Sequence, residues 1–130
     1  SRIRHLLYIP HTPEITITLS QLYYPLHNRF PKPFRFAVGE RLLGELAECA
    51  RLIILANLVD KQTTAGRSEG ATFVRRLRAS IEVIRGYLLV AWQQKFLSHG
   101  AITELSTRLE SVSRQAARWQ QWFERATGGT

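Results

Sequence analysis

The sequence predicts an all-α fold, an up-down-up-down four-helix bundle, and two observations support this prediction. Two stretches repeat apolar residues at alternating spacings of three and four, the pattern of helices that each bury one stripe. The one candidate strand, over residues 15–19, has no second strand in the chain to pair with. The first apolar seam consists of Val74, Leu77, Ile81, Ile84, Leu88 and Ala91. The second consists of Ile102, Leu105, Leu109, Val112, Ala116, Trp119 and Phe123.

Prolines divide the first part of the chain. Residues 1–14 show no apolar period and predict an extended arm. A first helix is predicted from about 16 or 18 to 28, where Pro25 kinks it or ends it early. Pro31 and Pro33 hold the next residues extended, although Pro33 also suits the first turn of a following helix.

The second predicted helix runs from about 33 or 36 to 61. Between Leu46 and Val59 it is apolar on most of its circumference, although a helix at the edge of a small monomer needs only one apolar stripe. We therefore expect this helix to be central and covered on several sides. Cys49, Ile53 and Ile54 are predicted core or subunit-interface positions.

Glycines and capping residues predict the remaining boundaries. Residues 62–70 are interpreted as a loop, with Ser68 or Thr72 capping a third helix over about 69–97. Gly100 is the predicted left-handed C-cap, and Thr103 is predicted to open the fourth helix. The predicted organisation is an arm over 1–14, a bundle domain over 15–127 and a tail over 128–130.

Net charge points to the kind of partner. The chain carries 18 basic and 10 acidic residues, a net charge of +8, and most of the basic residues are arginine. Arginine presents a planar fork that suits phosphate and carboxylate, so the composition favours a polyanionic partner. The alternative is a basic protein without such a partner. No run approaches the ~20 apolar residues that cross a bilayer, so we expect no membrane association and a cytoplasmic location.

Catalytic and metal-binding patterns are missing from the sequence. The four histidines fall in the arm or at helix ends, and the one aspartate, Asp60, is in a predicted loop. The single Cys49 excludes an internal disulfide. There is no Glu-x-x-His pair, no glycine-rich phosphate loop and no nucleophile motif. We predict a non-catalytic protein without a metal or cofactor.

The arginines of the last two helices are the strongest functional signal. Arg78, Arg85 and Trp92 recur at seven-residue spacing beside the first seam, and Trp122 ends a similar column beside the second. Such columns suit an interface with another chain or with stacked bases. The alternative is that both tryptophans close the bundle edges while the arginines are solvated. A further alternative pairs Arg78 and Arg85 with glutamates such as Glu45 or Glu48 across the bundle.

With these features placed, the chain resembles the small basic bundle proteins of diversity-generating retroelements, called Avd, and related bundle proteins encoded in 23S rRNA intervening sequences. The likeness covers roughly residues 19–123 and is moderately specific. It departs from the usual pattern at Lys32, where arginine is more common, and at the additional Pro33. The residues that carry it are Arg29-Phe30-Pro31-Lys32, Arg35-Phe36, Gly39, Phe73-Val74-Arg75-Arg76-Leu77-Arg78, Leu109, Val112, Arg114-Gln115 and Trp119 to Trp122.

This resemblance implies a barrel-like homopentamer that binds a reverse transcriptase and its template RNA and so supports mutagenic cDNA synthesis. The alternatives are an rRNA-insert bundle of unknown role and an oligomeric scaffold without nucleic acid. Ile54, Trp92 and Trp122 are the expected contacts between subunits. The residues expected to bind nucleic acid or the polymerase are Arg29, Lys32, Arg35, Arg75, Arg76, Arg78, Arg85, Arg114 and Arg118.

Overall fold

The computed structural model describes residues 20–21 and 23–128, and every regular element in this part is helical. The predicted arm over 1–14, the start of the first helix and residues 129–130 lie outside the described residues. The elements are α1 (helical residues 20–21 and 23–27), α2 (Lys32–Phe34, a π-helical turn Arg35–Gly39, and Glu40–Leu58), α3 (Thr64–Gln93) and α4 (His99–Gly128).

The four helices form a bundle-like core, and α3 packs against both α2 and α4. All four contribute to the walls of one small apolar cavity of about 10 Å³. The all-α prediction is therefore confirmed for the described residues. The lining residues are Tyr23, Leu42, Leu46, Ile84, Leu88, Leu105 and Leu109.

Both predicted apolar seams are confirmed. Every seam residue of α3 and α4 is buried, and Ile81 and Phe123 are completely inaccessible. Burying a large apolar side chain contributes about 1.5–3 kcal/mol, so the two seams supply much of the driving force for folding.

The predicted central position of α2 is wrong within a single chain. Its inward residues, including Cys49 and Ile53, are buried, but Ile54 is 58% exposed and Leu58 is 75% exposed. α3 packs against both α2 and α4. The apolar circumference of α2 indicated hydrophobic surface, but it could not indicate whether a neighbour within the same chain covers it.

The predicted loop over 62–70 is mostly helix, because α3 already begins at Thr64. Thr63 is its N-cap, with its hydroxyl accepting from the Gly66 N–H at 3.0 Å. Gly70 is a packing residue, since a Cβ there would lie 2.4 Å from Cε1 of Phe123. This glycine allows α4 to approach α3 closely and does not mark a turn. Ser68 and Thr72, the predicted caps, lie inside α3.

The connection between α3 and α4 also differs from the prediction. α3 ends at Gln93, and Lys95, with φ 65°, takes the left-handed conformation predicted for Gly100. The Lys95 N–H bonds to the Trp92 carbonyl and the Phe96 N–H to the Ala91 carbonyl, each at 2.9 Å. This pair of bonds is a Schellman motif with lysine in the usual glycine position.

The start of α4 was placed too late, because the helix begins at His99. Ser98 provides the cap, since its hydroxyl accepts from the Ala101 N–H at 3.0 Å. Thr103, the predicted first residue, lies within the helix and donates its hydroxyl proton to the His99 carbonyl at 2.8 Å.

A tight polar contact joins α1 to the π-helical turn. The Tyr23 hydroxyl donates to the Gly39 carbonyl at 3.1 Å and lies 2.9 Å from Nδ1 of His27. When the hydroxyl donates its one proton to Gly39, its oxygen can accept a hydrogen bond from Nδ1 of His27. Burial raises the pKa of Tyr23, and the charge of Glu40 raises it further. Tyr23 therefore stays protonated and fixes the position of α1 on α2.

Candidate nucleic-acid interface

Three of the four predicted arginines on α3 contact polar side chains of α4. Arg75 lies 3.5 Å from Glu124, Arg78 donates to Gln120 at 2.8 Å, and Arg85 lies 3.3 Å from Glu110. Arg85 also pairs with Glu82 of its own helix at 3.2 Å. These three arginines therefore line one flank of the contact between α3 and α4.

Glu45 and Glu48 were the wrong partners for Arg78 and Arg85. The interhelical partners lie on α4, and Glu48 instead pairs with Arg51 of its own helix at 3.3 Å. The sequence period gave the face of each helix, but it did not specify which neighbour lies on which side of α3.

Arg76 differs from the other three arginines of its cluster. Successive helical residues are about 100° apart, so Arg76 projects from another side of α3 than Arg75. It is exposed, and no ion pair or hydrogen bond of its side chain occurs within the described part of the chain. Its guanidinium is accessible to an external anion.

A second basic surface lies on the outside of α4, and we call Arg114, Arg118 and Arg125 the outer arginine row. Their spacings of four and seven place them on one helical face, opposite the buried seam. Arg114 lies 4.0 Å from Glu110, at the limit of an ion pair. Arg118 and Arg125 are exposed and have no acidic partner among residues 20–21 and 23–128.

We call residues 28–35, which join α1 to the first turns of α2, the elbow. Its three basic residues have two different roles. Arg29 and Lys32 are exposed. Arg35 is half-buried, and its guanidinium donates to the carbonyls of Asn28 at 3.0 Å and Phe30 at 3.1 Å. Arg35 thus closes the elbow over the buried Phe30, which leaves only Arg29 and Lys32 free for a partner.

The predicted subunit contacts occupy different environments. Ile54 and Trp92 are exposed, which leaves both open to a partner. Trp122 is half-buried and packs its ring edge-on against Phe123 at a centroid distance of 5.0 Å. The alternative that a tryptophan closes the edge of the bundle therefore fits Trp122 better than Trp92.

Titratable groups in the core offer no activated nucleophile. Burial, with smaller contributions from the charges of Glu45 and Glu48, raises the pKa of the Cys49 thiol to about 12. The thiol is therefore neutral at physiological pH. Within the described residues, no cluster of three or more histidine, cysteine, aspartate or glutamate side chains is arranged to hold a metal ion. None of the described helices has an apolar stretch long enough to cross a bilayer.

Sequence reasoning did not assign Lys95, Phe36 or His99 to any site. Lys95 and His99 are exposed at the turn between α3 and α4, and Phe36 is exposed near the start of α2. The sequence feature that could have indicated a binding surface here is the absence of acidic residues from 23–39 and from 83–103. The left-handed backbone of Lys95 has no comparable signature in the sequence.

The fold and surface of the described residues define a class, a basic protein with a helical, bundle-like core and separate charged faces. No protein-family model matches the chain. No curated protein and no solved structure matches it significantly. The relationship to Avd therefore stays a prediction from the sequence motifs.

Proposed function

We propose that this protein is a non-catalytic accessory protein of a diversity-generating retroelement, which binds the reverse transcriptase and template RNA to support mutagenic cDNA synthesis. The resemblance at the elbow and at the start of α3 suggests the biological context. The outer arginine row is the observation that carries RNA binding.

The electrostatics of the row fit an RNA backbone. Arg118 and Arg125 have no acidic partner among the described residues, so binding a phosphate would break no existing ion pair. The two residues are separated by about 10 Å along the helix axis, at 1.5 Å per residue. Such contacts bind phosphate without reading sequence, so the role needs no base-specific element.

Self-association completes the proposal. Ile54 and Leu58 are one helical turn apart and form an exposed apolar patch on α2, which a second copy of the chain would cover. We propose a homo-oligomer, a homopentamer by resemblance, in which repeated outer arginine rows form a band of positive charge. A monomer with the 14.9 kDa mass of one chain at micromolar concentration would contradict this assembly.

The test of RNA binding is the dependence of affinity on salt. Fluorescence anisotropy with a labelled single-stranded RNA should give a steep loss of affinity as salt rises, because bound arginines release counterions. A double variant carrying Arg118→Gln and Arg125→Gln should make the slope of log affinity against log salt concentration shallower by about 1.4, at roughly 0.7 for each phosphate contact. Arg51→Gln is the matched control, since Arg51 is exposed on α2 and paired with Glu48. An unchanged slope in the double variant would remove the outer arginine row from the proposal.

The α3 arginines favour a second candidate, an oligomeric scaffold without nucleic acid. Because Arg75, Arg78 and Arg85 contact α4, they act as links between helices in this alternative. A scaffold would assemble normally and show no salt-dependent RNA binding at any protein concentration tested. That result would favour the scaffold over the accessory role.

A further inference from the structure

Two separate connections of the chain meet at one end of the bundle. Phe34, at the start of α2, packs against Phe96, in the turn between α3 and α4, with ring centroids 4.7 Å apart. Phe34 also packs edge-on against the buried Phe30 of the elbow at 5.1 Å. The elbow and the α3–α4 turn therefore form a single surface held together by aromatic contacts.

Basic residues predominate in the two segments that build this end of the described structure, although Glu40 and Glu104 directly follow these segments. The two segments that build it, 23–39 and 83–103, contain no aspartate or glutamate. Arg29, Lys32 and Lys95 are exposed there, and their side chains have no ion pair within the described part of the chain. The opposite end mixes both signs, with Asp60, Lys61 and Glu69 around the α2–α3 turn.

The same end also holds the exposed aromatic rings. Among the described residues, the aromatic side chains with substantial exposure are Tyr24, Phe36 and Trp92, and all three belong to these two segments. Phe36 is 65% exposed. Trp92 lies beside His99, with ring centroids 6.2 Å apart and planes inclined by 50°. Burial would have been the favourable state for these rings, so their exposure at a basic surface points to a ligand with flat apolar faces and negative charge.

The backbone of Lys95 is consistent with such a role. A left-handed conformation is unfavourable for residues other than glycine and asparagine, because the Cβ crowds the following carbonyl oxygen. Glycine at this position would relieve the strain without altering the Schellman hydrogen bonds, which use only backbone atoms. Lysine instead adds a cation at the tip of the turn, three residues from Trp92.

We infer that this end of the bundle binds single-stranded RNA, with unpaired bases stacking on Trp92 and Phe36 and the phosphates held by Arg29, Lys32 and Lys95. The inference rests on the proposed function for its RNA partner, but it assigns a second site that is distinct from the outer arginine row. Flat exposed rings among unpaired cations suit splayed bases, whereas a duplex hides its base faces. An acidic protein surface would use the cations but not the rings.

The test compares one strand in two states. The probe is a 15-nucleotide CA-repeat RNA labelled with fluorescein, used alone and annealed to its complement. Wild-type protein should bind the single strand at least 10-fold more tightly than the duplex. Trp92→Leu should weaken single-strand binding between roughly 5-fold and 150-fold, the range for losing one stacked base, and should leave duplex binding unchanged. Trp92→Phe should restore most of the loss, because it retains a ring.

Two further variants separate stacking from charge. Lys95→Gln should lower the salt slope by roughly 0.7, while Trp92→Leu should leave the slope unchanged because it removes no phosphate contact. Val83→Ala is the control for loss of an exposed apolar side chain, since Val83 lies nine residues before Trp92 on α3, about 14 Å along the helix axis, and is 41% exposed. Thermal melting by circular dichroism confirms that each variant is folded.

Failure of this inference is distinguishable from failure of the proposed function. Equal affinity for single strand and duplex, or no effect of Trp92→Leu, would overturn the end site while RNA binding through the outer arginine row stands. A lower oligomeric mass of the Trp92→Leu variant with unchanged RNA affinity would identify Trp92 as a subunit contact. This result would also overturn the end site. No binding of either RNA by the wild-type protein would overturn both proposals.

Discussion

At the scale of single residues, the contact between α1 and α2 leaves Gly39 no room for a methyl group. A Cβ at this position would lie 2.9 Å from Cε1 of His27 and 3.3 Å from the Tyr23 hydroxyl. Tyr23 and His27 are hydrogen-bonded to each other, and the Tyr23 hydroxyl also bonds to the Gly39 carbonyl, so neither side chain moves away without losing a bond. Gly44, one turn further along α2, has no atom within 4 Å of such a Cβ.

These two glycines predict opposite effects of the same substitution. Gly39→Ala should destabilise the protein by about 1–3 kcal/mol, because the added methyl overpacks the contact. Gly44→Ala should stabilise it by about 0.5–1 kcal/mol, because alanine restricts the unfolded chain more than glycine does. Urea unfolding followed by circular dichroism measures both. Equal effects of the two substitutions would show that the contact between α1 and α2 is absent in solution.

Cys49 provides a second residue-scale prediction. With a thiol pKa of about 12, only roughly one molecule in ten thousand carries a thiolate at pH 8. Alkylation by iodoacetamide should therefore be far slower than for a free cysteine and should speed up sharply in 6 M guanidinium chloride. Mass spectrometry over a time course measures the rate. Rapid labelling without denaturant would contradict the buried position of Cys49.

At the scale of the helices, α2 has two apolar faces with different neighbours. One face contains Ile53, which is 5% exposed and packs in the core, and the other contains Ile54, which is 58% exposed. Adjacent residues on one helix thus test the core and the proposed subunit contact separately.

Ile53→Asp should bury an unpaired charge and cost roughly 3–5 kcal/mol, enough to lose most of the helical signal. Ile54→Asp should change the stability of the single chain by no more than about 0.5 kcal/mol, as for most surface positions. If the proposed oligomer uses this face, Ile54→Asp should also lower the mass measured by light scattering. A folded Ile53→Asp variant would show that the inward face of α2 is wrongly assigned.

The sequence predicted the long helices better than their ends and contacts. The seam residues of α3 and α4 were predictable because burial imposes a period that local sequence displays directly. Gly70 was wrongly interpreted as a loop residue. A glycine is needed there because Phe123, which is distant in sequence, packs against it. Lys95 was missed because a Schellman motif normally uses glycine, and Gly100 was the nearer match to that rule. The pairing of Arg85 with Glu110 depends on the side of α3 that α4 occupies, which no local pattern specifies.

At the scale of the whole molecule, the arrangement of basic residues matters more than the net charge of +8. The α3 arginines beside α4 have polar partners, the outer arginine row is largely free, and the segments 23–39 and 83–103 contain no acidic residue. The three surfaces should therefore respond differently to substitution.

A variant carrying Arg78→Gln and Arg85→Gln should lose about 0.5–1.5 kcal/mol of stability for the hydrogen bond of Arg78 to Gln120 and about 0.2–1 kcal/mol for each ion pair of Arg85. The salt dependence of RNA binding should stay within error of the wild type, unlike the response of the outer arginine row. Thermal melting and anisotropy titrations at several salt concentrations measure the two properties. A shallower salt dependence of RNA binding in this variant would show that Arg78 and Arg85 contact the RNA.

The π-helical turn Arg35–Gly39 sets the rotational phase between the elbow and the rest of α2. Its wider hydrogen-bonded ring, closed by the Glu40 N–H and the Arg35 carbonyl, accommodates about one more residue than an α-turn would. If the same residues closed regular α-turns instead, everything before them would rotate by about 100° relative to Leu42 and Leu46. Phe34 would then turn away from Phe96, and Arg29 and Lys32 would move with it. A single-residue deletion within Arg35–Gly39 is thus expected to leave a regular α-turn and to keep the contact between Phe34 and Phe96.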